Sequence, residues 1–341
     1  MESRPGRASG TPVTPGTPRG GVAAALLVVY IAWGSTFVGM RVAVRSLPPL
    51  TMSSMRFLVA GLLLYCWCLW QRRRHPEAGW RAPTRREWLA SAILGIALPA
   101  AGTGGAAWAE QKIPAGTAAL LLATVPVWMT ITSRIADSER ISLRTACGLV
   151  LGLAGVAVLV NPLSASAPDL LASAVALSGA LFWGCGSVYA KRAPHPAQPL
   201  LASGMEMICA GMALGLIGAA GGELGRISPA SLISTSGLAL GYLIIFGSVL
   251  GYSTYEWLLH HASSQLAGTY AFICPLVAVM LGWWLLSEQI SGRTLLAAAT
   301  ITIGVALIML RPRERSNGRT KQAAGSTNHQ QSRTLFTERP S

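Results

Sequence analysis

Two charged residues stand inside stretches that are otherwise apolar: Arg56 within 50–70 and Glu206 within 200–220. Burying an arginine in such a stretch costs at least ~2.5 kcal/mol, so its presence marks a meeting with an anion, a partner side chain or water. Glu206 offers different chemistry. A carboxylate whose surroundings turn dry takes up a proton and releases it when water returns, which makes Glu206 the first candidate for proton exchange and Glu256 the second. Glu110 and His260 end two further apolar stretches and complete the set of ionisable groups.

Aromatic residues supply the other half of a site for an amphipathic organic molecule. Trp33, Trp108, Trp183, Tyr252, Tyr255 and Tyr270 fall within apolar stretches, and Gly34, Ser35 and Phe37 follow Trp33 directly. Beside Gly34 and Gly184 the backbone can approach a ligand or another helix; ordinary helix packing is the competing role for both tryptophans. Trp67, Trp70, Trp88 and Trp257, near the ends of stretches, suit an interfacial belt. Pro99 (beside Gly102-Thr103-Gly104-Gly105), Pro126 and Pro275 are candidate helix breaks, which survive in a bilayer only where protein or a wet cavity satisfies the freed groups. No phosphate-binding loop, zinc-ligand helix or nucleophile elbow is present. No catalytic residue, metal site or cofactor is therefore expected, and the chain reads as no enzyme.

The elements that must position these residues follow from composition. The 341 residues are 52% hydrophobic and 12% charged, against about 25% charged in soluble domains. Mean hydropathy is +0.47. Ten apolar segments of about the length that crosses a ~30 Å hydrocarbon core lie near 21–40, 50–70, 88–109, 114–133, 145–161, 170–190, 200–220, 237–259, 265–286 and 294–310. The fold class is all-α and polytopic, and a soluble enzyme is excluded. The net charge of +14 reads as loop anchors on the cytoplasmic side, not as a nucleic-acid surface. With the N-terminus inside, cytoplasmic segments hold 21 of the 27 Lys and Arg residues and external loops hold 5. That bias places both termini in the cytoplasm and requires an even number of spans. Arg56, about 9 Å from its helix end at 1.5 Å per residue, can also reach headgroups through its long stem, and Glu110 and His260 can lie exposed at the interface. The six cysteines fall in apolar segments and read as small buried hydrophobes. Residues 1–20 and 311–341 read as disordered tails, the second of them basic.

The chain also repeats itself. Residues 33–64 and 183–214 are identical at eleven of 32 positions, including Trp33/Trp183, Gly34/Gly184, Pro49/Pro199 and Gly61/Gly211. At an offset of 149, Pro126 meets Pro275 and Ser138-Glu139 meets Ser287-Glu288. Two units of five spans, 21–161 and 169–310, follow. Because five is odd, the second unit enters the membrane from the opposite side, an architecture in which one half rocks against the other around a midplane site. In this register Glu110 corresponds to His260 and Arg56 to Glu206, which suggests an Arg56–Glu110 pair near the outer face and a Glu206–His260 pair near the inner one. Glu139 and Glu288 read as loop and helix-start features. Gly148/Gly152, Gly211/Gly215, Gly237/Gly241 and Gly247/Gly251, each four apart, read as close-packing motifs.

Trp33-Gly34-Ser35-Thr36-Phe37, Arg56-Phe57-Leu58-Val59-Ala60-Gly61, Ala109-Glu110-Gln111 and Pro126 before Glu139 resemble the EamA family of the drug/metabolite transporter superfamily. Trp183-Gly184, Glu206-Met207, Pro275 and Glu288 repeat the pattern, so the resemblance covers about residues 21–310. It is nearest the subgroup of inner-membrane drug/metabolite exporters. The resemblance implies ten helices, cytoplasmic termini and efflux of amino acids, other metabolites or drugs, with a small organic solute and the lipid bilayer as partners and protons as the candidate coupling ion. Neither nucleic acid nor a partner protein is expected. A bidirectional facilitator or importer is the alternative within transport, and a membrane scaffold or receptor the alternative outside it. Two departures separate the halves. Cys185 stands where Ser35 does, and Ala115-Gly116-Thr117 lies three residues further from its proline than Ala267-Gly268-Thr269 does.

Overall fold

The computed structural model describes residues 19–75, 81–137, 142–160, 168–262 and 264–309, and these form helices joined by short connections, with no strand among them. The first half comprises α1 (Arg19–Ala43), α2 (Pro49–Arg74), α3 (Arg85–Gly95) running through a π-helical stretch (Ile96–Gly104) into α4 (Gly105–Ala109), α5 (Ala115–Leu122), α6 (Val125–Asp137) and α7 (Leu143–Val160). The second half comprises α8 (Leu170–Ala190), α9 (Pro199–Ala220), the short α10 (Pro229–Leu232), α11 (Thr235–Tyr242) running through a second π-helical stretch (Leu243–Leu250) into α12 (Gly251–His261), α13 (Ser264–Ala267), α14 (Tyr270–Leu286) and α15 (Gly292–Met309). Nine of the resulting helical runs among the described residues are long and apolar enough to span a membrane. A tenth apolar helix, Tyr270–Leu286, has 17 residues, the low end of the spanning range of ~17–25.

Local signals set the helix ends. Pro49 and Pro199 occupy first-turn positions of α2 and α9, where a missing N–H costs nothing. Thr84 and Glu87 form a reciprocal capping box at α3, and Asp169 accepts from the Ala172 N–H at 2.8 Å to cap α8. Ser142 and Ser291 cap α7 and α15 in the same way, accepting from Thr145 at 3.2 Å and Thr294 at 3.1 Å.

Packing between helices runs on small residues, as expected where lipid gives apolar side chains no reason to leave it. A β-carbon on Gly61 of α2 would lie 2.8 Å from the Gly204 carbonyl of α9, and one on Gly304 of α15 would lie 2.6 Å from the Gly152 amide of α7. The other crossings come in matched sets. Gly34 on α1 abuts Val277 on α14, while Gly184 on α8 abuts Trp128 on α6. Trp33 presses on Gly251, while Trp183 presses on Gly102. Each partner in the second half thus sits 149 residues after its counterpart in the first, so each half packs on the other through equivalent positions. Leucine, isoleucine and tryptophan side chains such as Leu27, Ile31, Leu216, Leu238 and Trp284 are left exposed around the bundle, the surface that a bilayer covers.

Several expectations need correction. The apolar segments at 114–133 and 265–286 are each interrupted by a turn, at 123–124 and at 268–269, although 115–136 remains one run long and apolar enough to span a membrane. Neither break is at the proline. Pro126 is the second residue of α6, a position that tolerates it, and Pro275 lies inside an unbroken α14. Pro99 does mark an irregularity, the first π-helical stretch. The second π-helical stretch contains no proline and had no cue in composition. Gly241 packs on nothing within 4 Å, and a β-carbon on Gly237 would strike its own preceding loop at Leu232, so that pair is no interhelical seam. The six cysteines are free, but Cys66 and Cys147 are exposed on their helices instead of buried. The tails expected at 1–20 and 311–341, and Glu139, lie outside the described residues apart from Arg19 and Gly20.

Candidate functional site

A cavity of about 270 Å³ lies where α1, the two π-helical stretches, α5, α6, α8, α12 and α14 converge. Both halves line it. Trp33, Thr36, Phe37, Arg56, Thr103 and Pro126 come from the first half, and Trp183, Gly247, Tyr252, Tyr255, Tyr270 and Cys274 from the second. The wall is mainly apolar and aromatic, with a few polar groups, the usual make-up of a small-molecule site.

Trp33 organises one side of it. Its ring lies 5.4 Å from Tyr252, 5.0 Å from Tyr255 and 4.8 Å from Tyr270, centroid to centroid. Its indole N–H donates to the Gly247 carbonyl at 3.2 Å. Gly247 belongs to the second π-helical stretch, so that irregular turn holds the aromatic cluster in place. Pi-helical turns are rare and concentrate at functional sites. Here one from each half reaches the cavity, through Thr103 and Gly247.

Arg56 belongs to this wall. Only 3% of its surface is accessible, so its guanidinium turns into the protein and does not extend along α2 toward headgroups. Its Nε–H donates to Ser248 Oγ at 2.9 Å, and its guanidinium carbon lies 5.0 Å from the Phe57 ring centre. Nη1 is buried with no hydrogen-bond partner.

The two anticipated ion pairs do not form among the described residues. Glu110 caps the end of α4 with its side chain fully buried, and neither carboxylate oxygen has a hydrogen-bond partner. Its neighbours in charge include Glu288, Arg41 and Arg56; Arg41 donates to its backbone carbonyl and not to its carboxylate. Glu206 lies within electrostatic reach of Glu256, and Glu256 in turn lies within reach of Ser203 and His260. His260 is exposed and turns its ring back onto its own helix, where Nδ1–H donates to the Glu256 carbonyl at 2.8 Å. The register argument gave equivalent positions, but Arg56 bonds Ser248 and His260 bonds its own helix, while the Glu110 carboxylate is left without a hydrogen-bond partner.

Other expected lining residues sit beside the cavity rather than on it. Gly34 is a helix contact. Ser35 donates to the Ile31 carbonyl at 2.5 Å and shares a hydrogen bond with the Tyr242 hydroxyl at 2.5 Å. Trp108 packs on the core around Ala109 and Leu120. Glu288 is a helix-start residue as its position suggested, although the helix is α5 of the other half: its carboxylate accepts from the Ala115 amide at 2.8 Å and from the Gly116 amide at 3.4 Å. Glu223, which nothing in the sequence singled out, does the same for α2, accepting from the Thr51 amide at 2.8 Å and the Thr51 hydroxyl at 2.9 Å. Ser248, the partner of Arg56, also went unnoticed, because it lies 192 residues away in an ordinary apolar run. Trp67, Trp70 and Trp257 are exposed near helix ends, while Trp88 stacks at a tilt on Tyr65 with centroids 5.8 Å apart.

An all-helical polytopic bundle closed around a solute-sized chamber defines a membrane transport protein. The chain belongs to the EamA-like transporter family, which it matches over residues 20–161 and again over 170–310. It is 36% identical to the uncharacterized inner membrane transporter YedA of Escherichia coli (strain K12) over 84% of this chain and 90% of that one. It is 24% identical to the uncharacterized transporter YoaV of Bacillus subtilis (strain 168) over 82% and 94%. It is also 25% identical to the chloroplastic WAT1-related protein At3g02690 of Arabidopsis thaliana over 83% and 68%. A protein solved by crystallography shares the fold at a TM-score of 0.56 and 17% identity, covering 85% of this chain and 96% of that one.

Proposed function

We propose that the protein is a secondary-active exporter of small organic metabolites, working by alternating access in the cell inner membrane. The observation that carries this reading is the cavity, walled by equivalent elements of both halves. Its volume of about 270 Å³ sits just under the ~300 Å³ at which pockets for drug-sized ligands begin, which favours metabolites over bulky drugs. Ten spans in two oppositely threaded units of five, 21–161 and 169–310, account for the exchange-related packing and let one unit tilt on the other around the fixed site. Both termini then face the cytoplasm, in line with the distribution of Lys and Arg. Export is the direction implied by the resemblance in sequence pattern, and an inner-membrane location follows the relative from Escherichia coli. Glu206 and Glu256, close enough to act on each other electrostatically, form the candidate proton-exchange pair.

Cells with and without the protein are compared by untargeted analysis of the medium, and the enriched solute is then followed in right-side-out and inverted vesicles. Net outward movement of the solute driven by an inwardly directed proton gradient supports a proton-exchanging exporter. Movement that ignores the pH gradient removes the proton role, and movement equal in both vesicle orientations replaces export with facilitated exchange.

A further inference from the structure

Resting on the transporter reading above, we propose that Arg56 is the anion-recognition group of the cavity, and that the solute is a small organic acid. Its carboxylate docks on the guanidinium while its apolar body lies among Trp33, Tyr252, Tyr255 and Tyr270.

Four observations converge on this. Arg56 is the charged side chain among the described residues that line the cavity; the others are apolar, aromatic or hydroxyl-bearing. Its position is held, since Nε–H donates to Ser248 Oγ at 2.9 Å and the bare backbone of Gly247 makes room for the guanidinium. A β-carbon on Gly247 would lie 3.0 Å from Nη2. Nη1 is buried and has no hydrogen-bond partner, so the donor set is incomplete as it stands. Finally, the buried carboxylate that acts on it, Glu110, makes no hydrogen bond to it and is absent from the cavity lining.

A buried guanidinium with an unsatisfied N–H is costly, and the cost falls when a carboxylate accepts from it. The planar fork of arginine suits that recognition better than the point charge of lysine. The rest of the wall agrees with such a solute. Trp33 and the three tyrosines offer flat apolar faces for its body, and those faces also accept an ammonium group where the solute carries one. Among the described residues the lining holds no carboxylate that would select for a cation.

The test uses purified full-length protein and three probes that share one ring and differ in the head group: benzoate, benzamide and benzylamine. Calorimetric titration of the wild type is expected to show benzoate bound at least ~10-fold more tightly than the other two, the difference that one charge-assisted hydrogen bond makes. Arg56→Gln weakens benzoate by roughly 10- to 100-fold on the same scale, Arg56→Lys restores part of the loss, and Glu110→Gln leaves benzoate binding in place. Benzoate that fails to bind, binds no better than benzamide, or binds Arg56→Gln as well as wild type overturns the assignment. Reconstituted vesicles loaded with a small-molecule extract of cells separate this from the broader reading. Protein-dependent efflux of neutral or cationic solutes alone overturns the acid preference and leaves the transporter standing, whereas the absence of any protein-dependent flux overturns both.

Discussion

At the scale of single residues, what a side chain does is set by whether it reaches the cavity, not by how unusual it looks in the sequence. Trp33 and Ser35 are two residues apart on α1, but Trp33 joins the aromatic cluster while the Ser35 hydroxyl is spent on Ile31 and Tyr242. Trp33→Ala removes three ring contacts, each worth about 0.5–1.5 kcal/mol beyond burial, so the half-saturating solute concentration is expected to rise by roughly 10-fold or more. Ser35→Ala should leave it within about twofold, since an exchange of local hydrogen bonds changes little. Concentration-dependent flux of the solute found in the medium checks both. Arg56 was conspicuous from the start because charge in an apolar run is rare. Its partner Ser248 was not, since a serine in an apolar run carries no signal until the chain is folded.

At the scale of elements, close helix approach and helix capping hold the bundle, and both make firm predictions. Gly304→Ala pushes a methyl group to within 2.6 Å of the Gly152 amide and should cost about 1–3 kcal/mol, as overpacking does. Gly241→Ala meets nothing within 4 Å and should stabilise by about 0.4–1 kcal/mol through the unfolded chain. Thermal unfolding of the two variants in the same detergent gives opposite shifts. The Asp169 cap of α8 carries a pH dependence. The Ala172 N–H in the first place, with Lys112 assisting, holds the Asp169 carboxyl below the usual carboxylate range. A lowered folded value means that the contribution is complete above about pH 4 and is lost as pH falls through the lowered value. Protection of the Ala172 amide, measured as its exchange relative to the unprotected rate at the same pH, should therefore fall in acid, and Asp169→Asn should remove that fall while keeping the cap. Helix positions and several caps were legible in the sequence because apolar length, proline and Ser/Thr/Asp spacing act locally. The caps supplied by Glu223 and Glu288 were not assigned to their helices, because each comes from the far half of the chain. The second π-helical stretch was equally hidden, as it contains no breaker residue and meets Trp33 and Arg56 only in the folded chain.

At the scale of the whole molecule, the repeat was the most readable feature and also the one most easily over-extended. Matching at an offset of 150 paired Gly34 with Gly184, which pack in equivalent ways, and Gly102 and Gly251, 149 residues apart, do the same in the fold. Carried to charged side chains, the same register suggested pairs that do not form: Arg56 bonds Ser248, 192 residues away, and both Glu110 carboxylate oxygens lack a hydrogen-bond partner, because backbone register does not determine where a long side chain turns. The halves also differ in the element that precedes each proline: α5 has eight residues before its turn and α13 has four. That places Gly268 on the cavity wall while Gly116 packs against Val279. A chamber built from unequal halves has a preferred orientation for an asymmetric solute.

Cys274, a native residue on the cavity wall, offers the most direct measurement of alternating access. With the other five cysteines replaced, a membrane-impermeant thiol reagent is applied to right-side-out and to inverted vesicles, with and without the transported solute. The account predicts that Cys274 is modified from both faces and that solute slows modification from each. Labelling from one face alone, whatever the solute and gradient, would contradict it.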